Sequence, residues 1–569
     1  MFVSSAMWEH GRLYGICTAN GASGGARGAL ALTLALGATA CSGVSDCKED
    51  AAKCAEMLNQ NAAACAEAFK YKQSDSKRKR CSHAIDVVGS EGTAAAVPGL
   101  LEILKVPESG VHDDIHRSEA ATALGKIGDP QAVDGLMAAL DMKVGTSNDP
   151  VDKMGNRSNE EVAQALGELG EDRAVGKLLE LMEATRDNNV ALWAMRSLGK
   201  LGSAEAVPAL EKVALEHDNK FMRKNAVIAL GDIASPESVD ALVQMMFIEF
   251  QGVSFYREAS FALFQVGPAA VPKLLETLAL KNEKVADIFE KSGGMKESAV
   301  IAKSAVVLGD LRDPRATEAL VEAYATALKK NDPIVIREVA FALGSLADEN
   351  AVPVLMKNMT TIDASLRERV MESLNKIGSR EPVPEMVASM TAKDFIKRCI
   401  KQGIGRGPCT GDVASRVGAQ KASTDAATFL VDADHVAAMK KVVAGEEQEE
   451  LKAYMEKRLA VAELVSECAV DAACWAKKAT DEDELVREKA YWELGRIGGD
   501  VAKKTLLEGL SDKKRKARAA AIYSYWKVGD SSAVEQIEAQ LQKEKGSADF
   551  LVVNEDLKRL AIDLKRKSS

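Results

Sequence analysis

Two histidines four residues apart are the strongest candidates for chemistry in this sequence. His112 and His116 would share one face of a helix, with Asp113 and Asp114 beside them. Two imidazoles and a carboxylate can hold a divalent metal. The alternative, which we favour, is a polar loop and a first helical turn in which acidic side chains are stabilised by the helix dipole. A metal-dependent enzyme or factor that uses this pair is therefore the second hypothesis for function.

Eight cysteines in three groups supply the other candidate chemistry. They are Cys47, Cys54, Cys65, Cys81, Cys399, Cys409, Cys468 and Cys474. The first three share one helical stripe, opposite a segment that could carry Cys81, and Cys468 and Cys474 could close one turn between helices. No pair has the separation of two to four residues that is usual for zinc ligands, so we predict disulfides and no structural metal. The pairing within the first group stays open.

A glycine-rich segment at residues 403–407 has the composition of a phosphate-binding loop. It lacks the Lys-Ser or Lys-Thr ending and the preceding strand that such a loop requires. Because Cys399 and Cys409 flank it, we interpret the segment as a loop closed by a disulfide.

The stretch from Gly28 to Ala40 is too short to cross a bilayer but has the length of the apolar region of an export signal. Small residues lead directly to Cys41. This resembles a bacterial lipoprotein signal, which implies cleavage before Cys41 and lipidation of its sulfur. Alternatives are an ordinary secretory signal cut near Ala40 and a buried first helix. In the resembling family, the uncharged Ser42 implies an address at the outer membrane, so we expect a lipid-anchored protein of the cell envelope.

Composition favours an all-helical chain that does not bind nucleic acid. Hydrophobic residues make up 47% of the chain and aromatics only 5%, which suggests helices packed closely through small side chains. The formal charge of -10 opposes general binding to phosphate backbones.

One phrase, typified by ATALGKIGDPQAV from Ala121, recurs from about residue 83 onward. Its first-glycine positions are Gly125, Gly167, Gly199, Gly231, Phe264, Gly309, Gly344, Asn375, Gly495 and Lys527. The usual interval is about 32 residues, with one gap of about 120, which is typical of a solenoid. Each unit shows two amphipathic helices, joined at Asp129-Pro130, Ser235-Pro236 and Asp313-Pro314 by a capping oxygen and a proline at the first helical position.

The repeated phrase resembles HEAT repeats, specifically the short form associated with phycobilisome lyases. The resemblance implies an α-solenoid. Iron-dependent hydroxylases built on such repeats carry His-Glu pairs, whereas none of the six histidines here precedes a glutamate. On that ground we expect neither this hydroxylase chemistry nor a bound cofactor, and nothing points to a tetrapyrrole.

Three features could bind partners. Connections between units vary in length on one edge of the solenoid, where function often gathers. Residues 247–256 are rich in aromatics, although aromatics at helical spacing are more often core, as we also expect for the tryptophans. Basic runs occur at residues 77–80, 513–518 and 558–567, and for the C-terminal ones we favour a solvated face.

The sequence therefore predicts an all-α solenoid of HEAT-like helical pairs in five parts. These are a signal peptide (1–40), a Cys-rich helical hairpin and linker (41–82), a repeat solenoid (83–394), a non-repeat insertion (395–450) and C-terminal repeats (451–569). The expected function is a non-catalytic scaffold, anchored to a membrane by lipid, that binds an unknown protein partner. The second hypothesis remains the metal-dependent enzyme or factor with His112 and His116.

Overall fold

Small residues at the repeat positions allow successive helices to pack closely against one another, and this packing forms the solenoid. A computed structural model describes residues 44, 46–69, 75–105, 114–140, 157–293, 296–359, 361, 363–401, 406–543 and 550–567. Cys41 and His112 lie outside these residues, so the lipid anchor and the histidine pair stay predictions. None of the described helices is long and apolar enough to cross a membrane.

The helices of the first half follow one another in pairs. They are α1 (Ala51–Ala68), α2 (Ser76–Ser90), α3 (Val97–Lys105), α4 (Asp114–Ile127), α5 (Val133–Ala139), α6 (Arg157–Leu169), α7 (Val175–Ala184), α8 (Asn188–Leu201), α9 (Val207–Glu216), α10 (Lys220–Ile233) and α11 (Val239–Met245). A two-stranded antiparallel hairpin follows, with β1 (Glu249–Phe250) and β2 (Val253–Ser254).

The middle repeats continue the same order. They comprise α12 (Tyr256–Val266), α13 (Val271–Leu278), α14 (Glu283–Ser292), α15 (Glu297–Leu311), α16 (Thr317–Lys330), α17 (Pro333–Leu346), α18 (Val352–Met356), α19 (Ala364–Ile377) and α20 (Val383–Ser389). The long connection between α13 and α15 thus contains a helix of its own.

The remaining helices span the non-repeat insertion and the C-terminal repeats. They are α21 (Ala392–Lys401), α22 (Arg406–Gly411), α23 (Val413–Leu430), α24 (Ala433–Ala444), α25 (Glu449–Cys468), α26 (Ala472–Lys478), α27 (Glu484–Ile497), α28 (Gly499–Gly509), α29 (Arg515–Val528), α30 (Val534–Lys543) and α31 (Phe550–Arg566). The all-α solenoid predicted from the repeat is confirmed.

The turn inside each repeat unit has the predicted capping chemistry. Asp129, Ser235 and Asp313 each accept a hydrogen bond from the backbone N–H two residues later, and the intervening proline begins a short 3-10 helix. A proline costs nothing at a first helical position, where its missing N–H would have no partner.

The helices that carry the repeated phrase lie side by side in one row, which we call the inner row. It runs through α2, α4, α6, α8, α10, α12, α15, α17 and α19, and continues through α23, α25, α27, α29 and α31. The insertion therefore extends the row without the glycine phrase.

Each glycine of the phrase faces a small residue on the next helix of the inner row. A Cβ atom added at Gly309 would lie 2.5 Å from the Ala342 Cα atom, and one at Gly344 would lie 2.6 Å from the Ser373 Cα atom. At Gly495 the facing residue is Ser524, two positions before Trp526. Trp526 rather than Lys527 therefore occupies the glycine position of the last unit.

Replacement of Gly309 by alanine is expected to lower the free energy of unfolding by about 1–3 kcal/mol, because the added methyl group meets backbone that must shift. Gly176→Ala is the control, since nothing lies within 4 Å of a Cβ at that exposed helical position. It should be neutral or stabilise by about 0.4–1 kcal/mol. Denaturant unfolding followed by circular dichroism measures both, and equal effects would contradict the close-packing explanation.

All eight predicted cysteines form disulfides. The pairs are Cys47–Cys54, Cys65–Cys81, Cys399–Cys409 and Cys468–Cys474. Cys65–Cys81 joins α1 to α2, and Cys399–Cys409 joins α21 to α22 around the glycine-rich segment. The cysteines therefore staple the N-terminal hairpin and the insertion.

Candidate functional site

The C-terminal end of the inner row folds back and contacts its middle repeats. The Tyr523 hydroxyl donates to the Gly344 carbonyl oxygen at 3.1 Å, and the Lys527 Nζ atom donates to the Lys376 carbonyl oxygen at 3.0 Å. Between α12 and α31, the Arg257 Nε atom donates to the Glu555 carboxylate at 2.9 Å. We call these contacts the closure interface. They bring together residues that are 150 to 300 positions apart.

Helix α31 contacts the middle repeats through charged side chains. The Arg559 guanidinium lies 2.6 Å from the Asp310 carboxylate, and the Arg312 guanidinium lies 3.0 Å from the Asp563 carboxylate. Arg566 donates to the backbone carbonyl oxygens of Phe264 and Gln265. The prediction of a solvated face is therefore wrong for the basic side chains Arg559 and Arg566, because they pair with groups on α12 and α15.

A cavity of about 330 Å³ lies inside this interface, and we call it the central pocket. Helices α15, α17, α19, α29 and α31 all contribute to its wall. Its charged lining residues are Asp310, Arg312, Glu372, Lys376, Arg515, Arg518, Asp556 and Arg559. Its volume lies at the lower end of the range for small-molecule sites, whereas its lining, with eight charged residues among fifteen, is more polar than is usual for such sites.

Two acids in the central pocket have a raised pKa, Asp556 and the mostly buried Asp310. Burial raises the pKa of its carboxyl group, against the opposing attraction of the Arg559 and Arg312 guanidinium groups. The Asp310 Oδ2 atom accepts a hydrogen bond from Arg559. A carboxyl group with a raised pKa in a cleft can exchange a proton with a bound molecule.

Aromatic rings and the aliphatic residues Ala519, Ile522 and Leu560 form the apolar part of the wall. The Arg312 guanidinium stacks 4.2 Å from the centroid of the Trp526 ring and 5.6 Å from that of Tyr523. The Lys376 ammonium lies 4.8 Å from the Phe341 ring centroid. These stacks hold two of the pocket's cations in fixed positions.

A larger and more open cavity of about 610 Å³ lies between α2, α4 and α6. It is lined by His83, Ser118, Glu119, Lys126 and Glu161 among others. His116 lies nearby in α4 with only 2% of its surface exposed, and its ring centroid is 6.1 Å from that of Phe69. Its predicted partner His112 is outside the described residues.

The remaining described histidines serve as local hydrogen-bonding groups. The ring of His83 contacts the Lys48 carbonyl oxygen at 2.9 Å, His217 accepts from the Asn219 backbone, and His435 contacts Asp432 at 2.6 Å. Within the described ranges, one set of three possible metal ligands lies together: Glu467, Cys468 and Cys474. Both of its cysteines are in a disulfide. The residues described do not fit an iron centre.

The aromatic segment at 247–256 belongs to the core, as favoured from its spacing. Phe247 and Phe255 are buried, and Phe250 on the hairpin stacks against the Arg223 guanidinium at 4.0 Å from the ring centroid. Trp475 is fully buried, whereas Trp492 and Trp526 are partly buried at the closure interface.

Sequence patterns did not reveal Asp310, Arg312 and Arg559 as site residues. One signal was present: Phe264 and Trp526 stand where the repeated phrase has glycine. Each of these rings lies against arginines of the closure interface, at 5.0 Å for Phe264 with Arg566 and 4.2 Å for Trp526 with Arg312. An aromatic residue at the glycine position is therefore a sequence signal for a helix that contacts a part of the chain far away in sequence.

Family models match in four places. A model of HEAT repeats matches residues 177–247 and 461–548, and a model of PBS lyase HEAT-like repeats matches residues 117–142 and 335–361. The predicted resemblance to short HEAT repeats is thereby confirmed, whereas no comparison bears on the predicted lipoprotein signal.

Curated relatives carry an enzyme's name. Deoxyhypusine hydroxylase-B of Oryza sativa subsp. japonica is 30% identical over 224 residues, which are 31% of this chain and 73% of that protein. Deoxyhypusine hydroxylase of Aspergillus oryzae is 28% identical over 260 residues, 43% of this chain and 65% of that protein. Both matches leave more than half of this chain uncovered.

Two solved structures match this chain at low sequence identity and low TM-score. Human deoxyhypusine hydroxylase in complex with glycerol has a TM-score of 0.20 and 16% identity, over 57% of this chain and 97% of that one. Importin beta has a TM-score of 0.39 and 14% identity, over 90% of this chain and 78% of that one.

The relatives contradict the expected non-catalytic scaffold. They are named as enzymes, so the expectations of a scaffold and of no enzymatic activity were wrong. The expectation against hydroxylase chemistry rested on the absence of His-Glu pairs from the sequence.

Proposed function

Because this chain belongs to the HEAT-repeat family that includes the deoxyhypusine hydroxylases, we propose that it is an enzyme whose active site is the central pocket. The observation that carries the proposal is the placement of Asp310, an acid with a raised pKa, among cations in a cavity of about 330 Å³. Enzymes use buried carboxyl groups of this kind as general acids, since burial brings their pKa closer to the working pH.

Each wall of the pocket has a separate task in this proposal. Asp310 gives a proton to the substrate, or accepts one, at its Oδ1 atom. Arg312 and Arg559 stabilise negative charge as it develops, because preorganised cations in a site of low dielectric act strongly on such charge. The rings of Tyr523 and Trp526 bind the apolar part of the substrate and exclude water.

A metal-dependent reaction is the second candidate, and the predicted pair His112 and His116 would supply its ligands. The family name favours it, whereas the described residues supply no ligand set for iron. No step of the acid–base proposal passes through a metal. Metal analysis of the purified full chain separates the two: stoichiometric metal that is lost in a His112→Ala, His116→Ala variant would favour the second candidate.

The acid–base proposal is tested with Asp310→Asn, which keeps the shape of the side chain and removes the titrating group. Wild-type protein and the variant are incubated with a deoxyhypusine-containing peptide and, separately, with small-molecule extract of the native host, and products are followed by mass spectrometry. We expect at least one compound to be converted at least a hundredfold faster by the wild type, within the range of general acid–base contributions. Equal conversion by both proteins would refute the proposal.

Loss of folding would mimic loss of catalysis, so a control is needed. Asp563→Asn removes the other carboxylate that pairs with the arginines, at a distance of 3.0 Å from Arg312, and leaves Asp310 in place. If both variants lose conversion together with thermal stability, the effect is structural. If Asp310→Asn alone loses conversion at unchanged stability, Asp310 is a catalytic residue.

A further inference from the structure

The disulfide between Cys468 and Cys474 differs from the other three in its exposure. Cys474 is partly exposed, whereas the other seven disulfide-bonded cysteines that the structure describes are buried, each with at most 5% of its surface accessible. The residues between the two cysteines point outwards: Ala469 and Asp471 are exposed, and Val470 is 82% exposed. A molecule as large as a protein can therefore reach this disulfide at Cys474.

The backbone between these cysteines makes a tight turn that is strained at Ala469. The Asp471 N–H donates to the Cys468 carbonyl oxygen at 2.8 Å, and Ala469 has φ 44° and ψ -117°. These angles are close to those of the first central position of a type II′ turn, which glycine usually occupies. Ala234 and Ala347 also have positive φ, but their ψ angles of 28° and 30° lie in the left-handed helical region that residues with a Cβ atom can adopt.

Three restraints hold Ala469 in this conformation. The disulfide closes the loop around it, the turn hydrogen bond spans it, and the Trp475 indole N–H donates to its carbonyl oxygen at 2.9 Å. Trp475 is fully buried, so its ring is a fixed anchor for the turn. Backbone strain persists only where the surrounding structure imposes it. Because cleavage of the disulfide removes one restraint and lets Ala469 relax, this disulfide is easier to reduce than an unstrained one.

We propose that the Cys468–Cys474 disulfide undergoes reversible thiol–disulfide exchange with a protein dithiol that attacks at Cys474. The thiolate of the dithiol bonds to the Cys474 sulfur and displaces Cys468 as a thiolate, which takes a proton from water. The second thiol, once deprotonated, attacks the sulfur of its own protein in this mixed disulfide and displaces Cys474, which is protonated in turn. Two electrons and two protons thus pass to the cysteine pair, which becomes two thiols while the dithiol becomes a disulfide.

The exchange site lies outside the central pocket and does not depend on the proposed acid–base activity. Cys468 is the last residue of α25 and Cys474 lies in the first turn of α26. Helices α27, α29 and α31, which follow in the chain, continue the inner row to the closure interface. Strained and exposed disulfides are the labile or regulatory ones. The redox state of this pair therefore acts where the C-terminal repeats begin.

Incubation of the full chain with thioredoxin, kept reduced by its reductase and NADPH, tests the proposal. Samples are alkylated at intervals and digested, and mass spectrometry measures the reduced fraction of each of the four disulfides. We expect Cys468–Cys474 to be reduced on the order of tenfold faster than the other three, because it combines access with strain. Reduction of this pair at the same rate as the buried pairs, or more slowly, would refute the exchange site.

Ala469→Gly tests whether backbone strain makes this disulfide reducible. Glycine adopts a positive φ at no steric cost, so the oxidised variant loses the strain. The equilibrium constant for reduction of the pair by dithiothreitol should fall by about 5- to 150-fold, the equivalent of about 1–3 kcal/mol. Ala347→Gly, which changes a positive-φ alanine at the end of α17, should leave this constant unchanged. An unchanged constant in Ala469→Gly, at unchanged thermal stability, would refute the proposal.

Discussion

Glu493→Ala is expected to lower the free energy of unfolding by about 3–5 kcal/mol, because it leaves a buried ammonium without its counter-ion. The Lys489 Nζ atom is fully buried and lies 2.8 Å from the Glu493 carboxylate. The Lys489 Nζ atom also donates to the Phe429 carbonyl oxygen at 3.3 Å. Arg496 also pairs with Glu493 at 2.8 Å, and Arg380 does so at 3.9 Å, so one carboxylate serves three cations.

The loss should depend on pH in a stated direction. Burial lowers the pKa of Lys489 to about 8, against the opposing attraction of Glu493. A lysine whose pKa is depressed in the folded state loses stability as pH falls from its unfolded pKa towards its folded one. Without Glu493 the folded pKa falls further, so the gap between wild type and variant should widen as pH falls below 8.

Urea unfolding at pH 6 and pH 9 measures both the loss and its pH dependence. The matched control is Glu463→Ala, which breaks a pair with Lys440 at the same distance of 2.8 Å but on the exposed surface. That change should cost at most about 1 kcal/mol. Losses of similar size in the two variants would contradict the buried network between α23 and α27.

Tyr523→Ala is expected to cost about 3–5 kcal/mol, as truncations of large buried aromatic side chains do. The Tyr523 ring is 6% exposed and packs between Trp492 and Trp526, at centroid distances of 5.5 and 5.7 Å. Its hydroxyl donates the hydrogen bond that joins α29 to the Gly344 carbonyl oxygen. The substitution therefore removes both the packing and the polar anchor of the closure interface.

Tyr523→Phe separates these two contributions, since it keeps the ring and removes only the hydroxyl. It should cost about 1 kcal/mol, the usual net value of one hydrogen bond. Thermal unfolding compares the variants. An alanine variant no less stable than the phenylalanine variant would show that α29 does not pack on the middle repeats.

Local patterns in the sequence predicted the solenoid. They did not predict the contact between helices that are far apart in the chain. Gly309 and Gly344 repeat because each inner-row helix meets the next one in the chain, so spacing alone carries the information. Asp310 and Arg559 meet across 249 positions. No repeat period relates these two positions. The sequence signal of the contact is the replacement of glycine by an aromatic residue at Phe264 and Trp526.

The function of the chain was misjudged for a related reason. The catalytic motifs considered, namely the His-Glu pair, His112 with His116 and the glycine-rich segment 403–407, are each local in the sequence. The central pocket instead assembles its charged groups from four helices. Cysteine spacing was more informative, because Cys468–Cys474 and Cys399–Cys409 each close a short local segment. Residues that act within one or two helices could be predicted, and those that act across the closure interface could not.

The closure of the inner row, on which the central pocket depends, is tested most directly by a double-mutant cycle on Asp310→Asn and Arg559→Met. Unfolding free energies of wild type, both single variants and the double variant give the coupling energy between two residues that meet only if α31 lies on α15. We predict a coupling of about 1–3 kcal/mol. A coupling of zero within error would contradict the closure interface and the pocket that it forms.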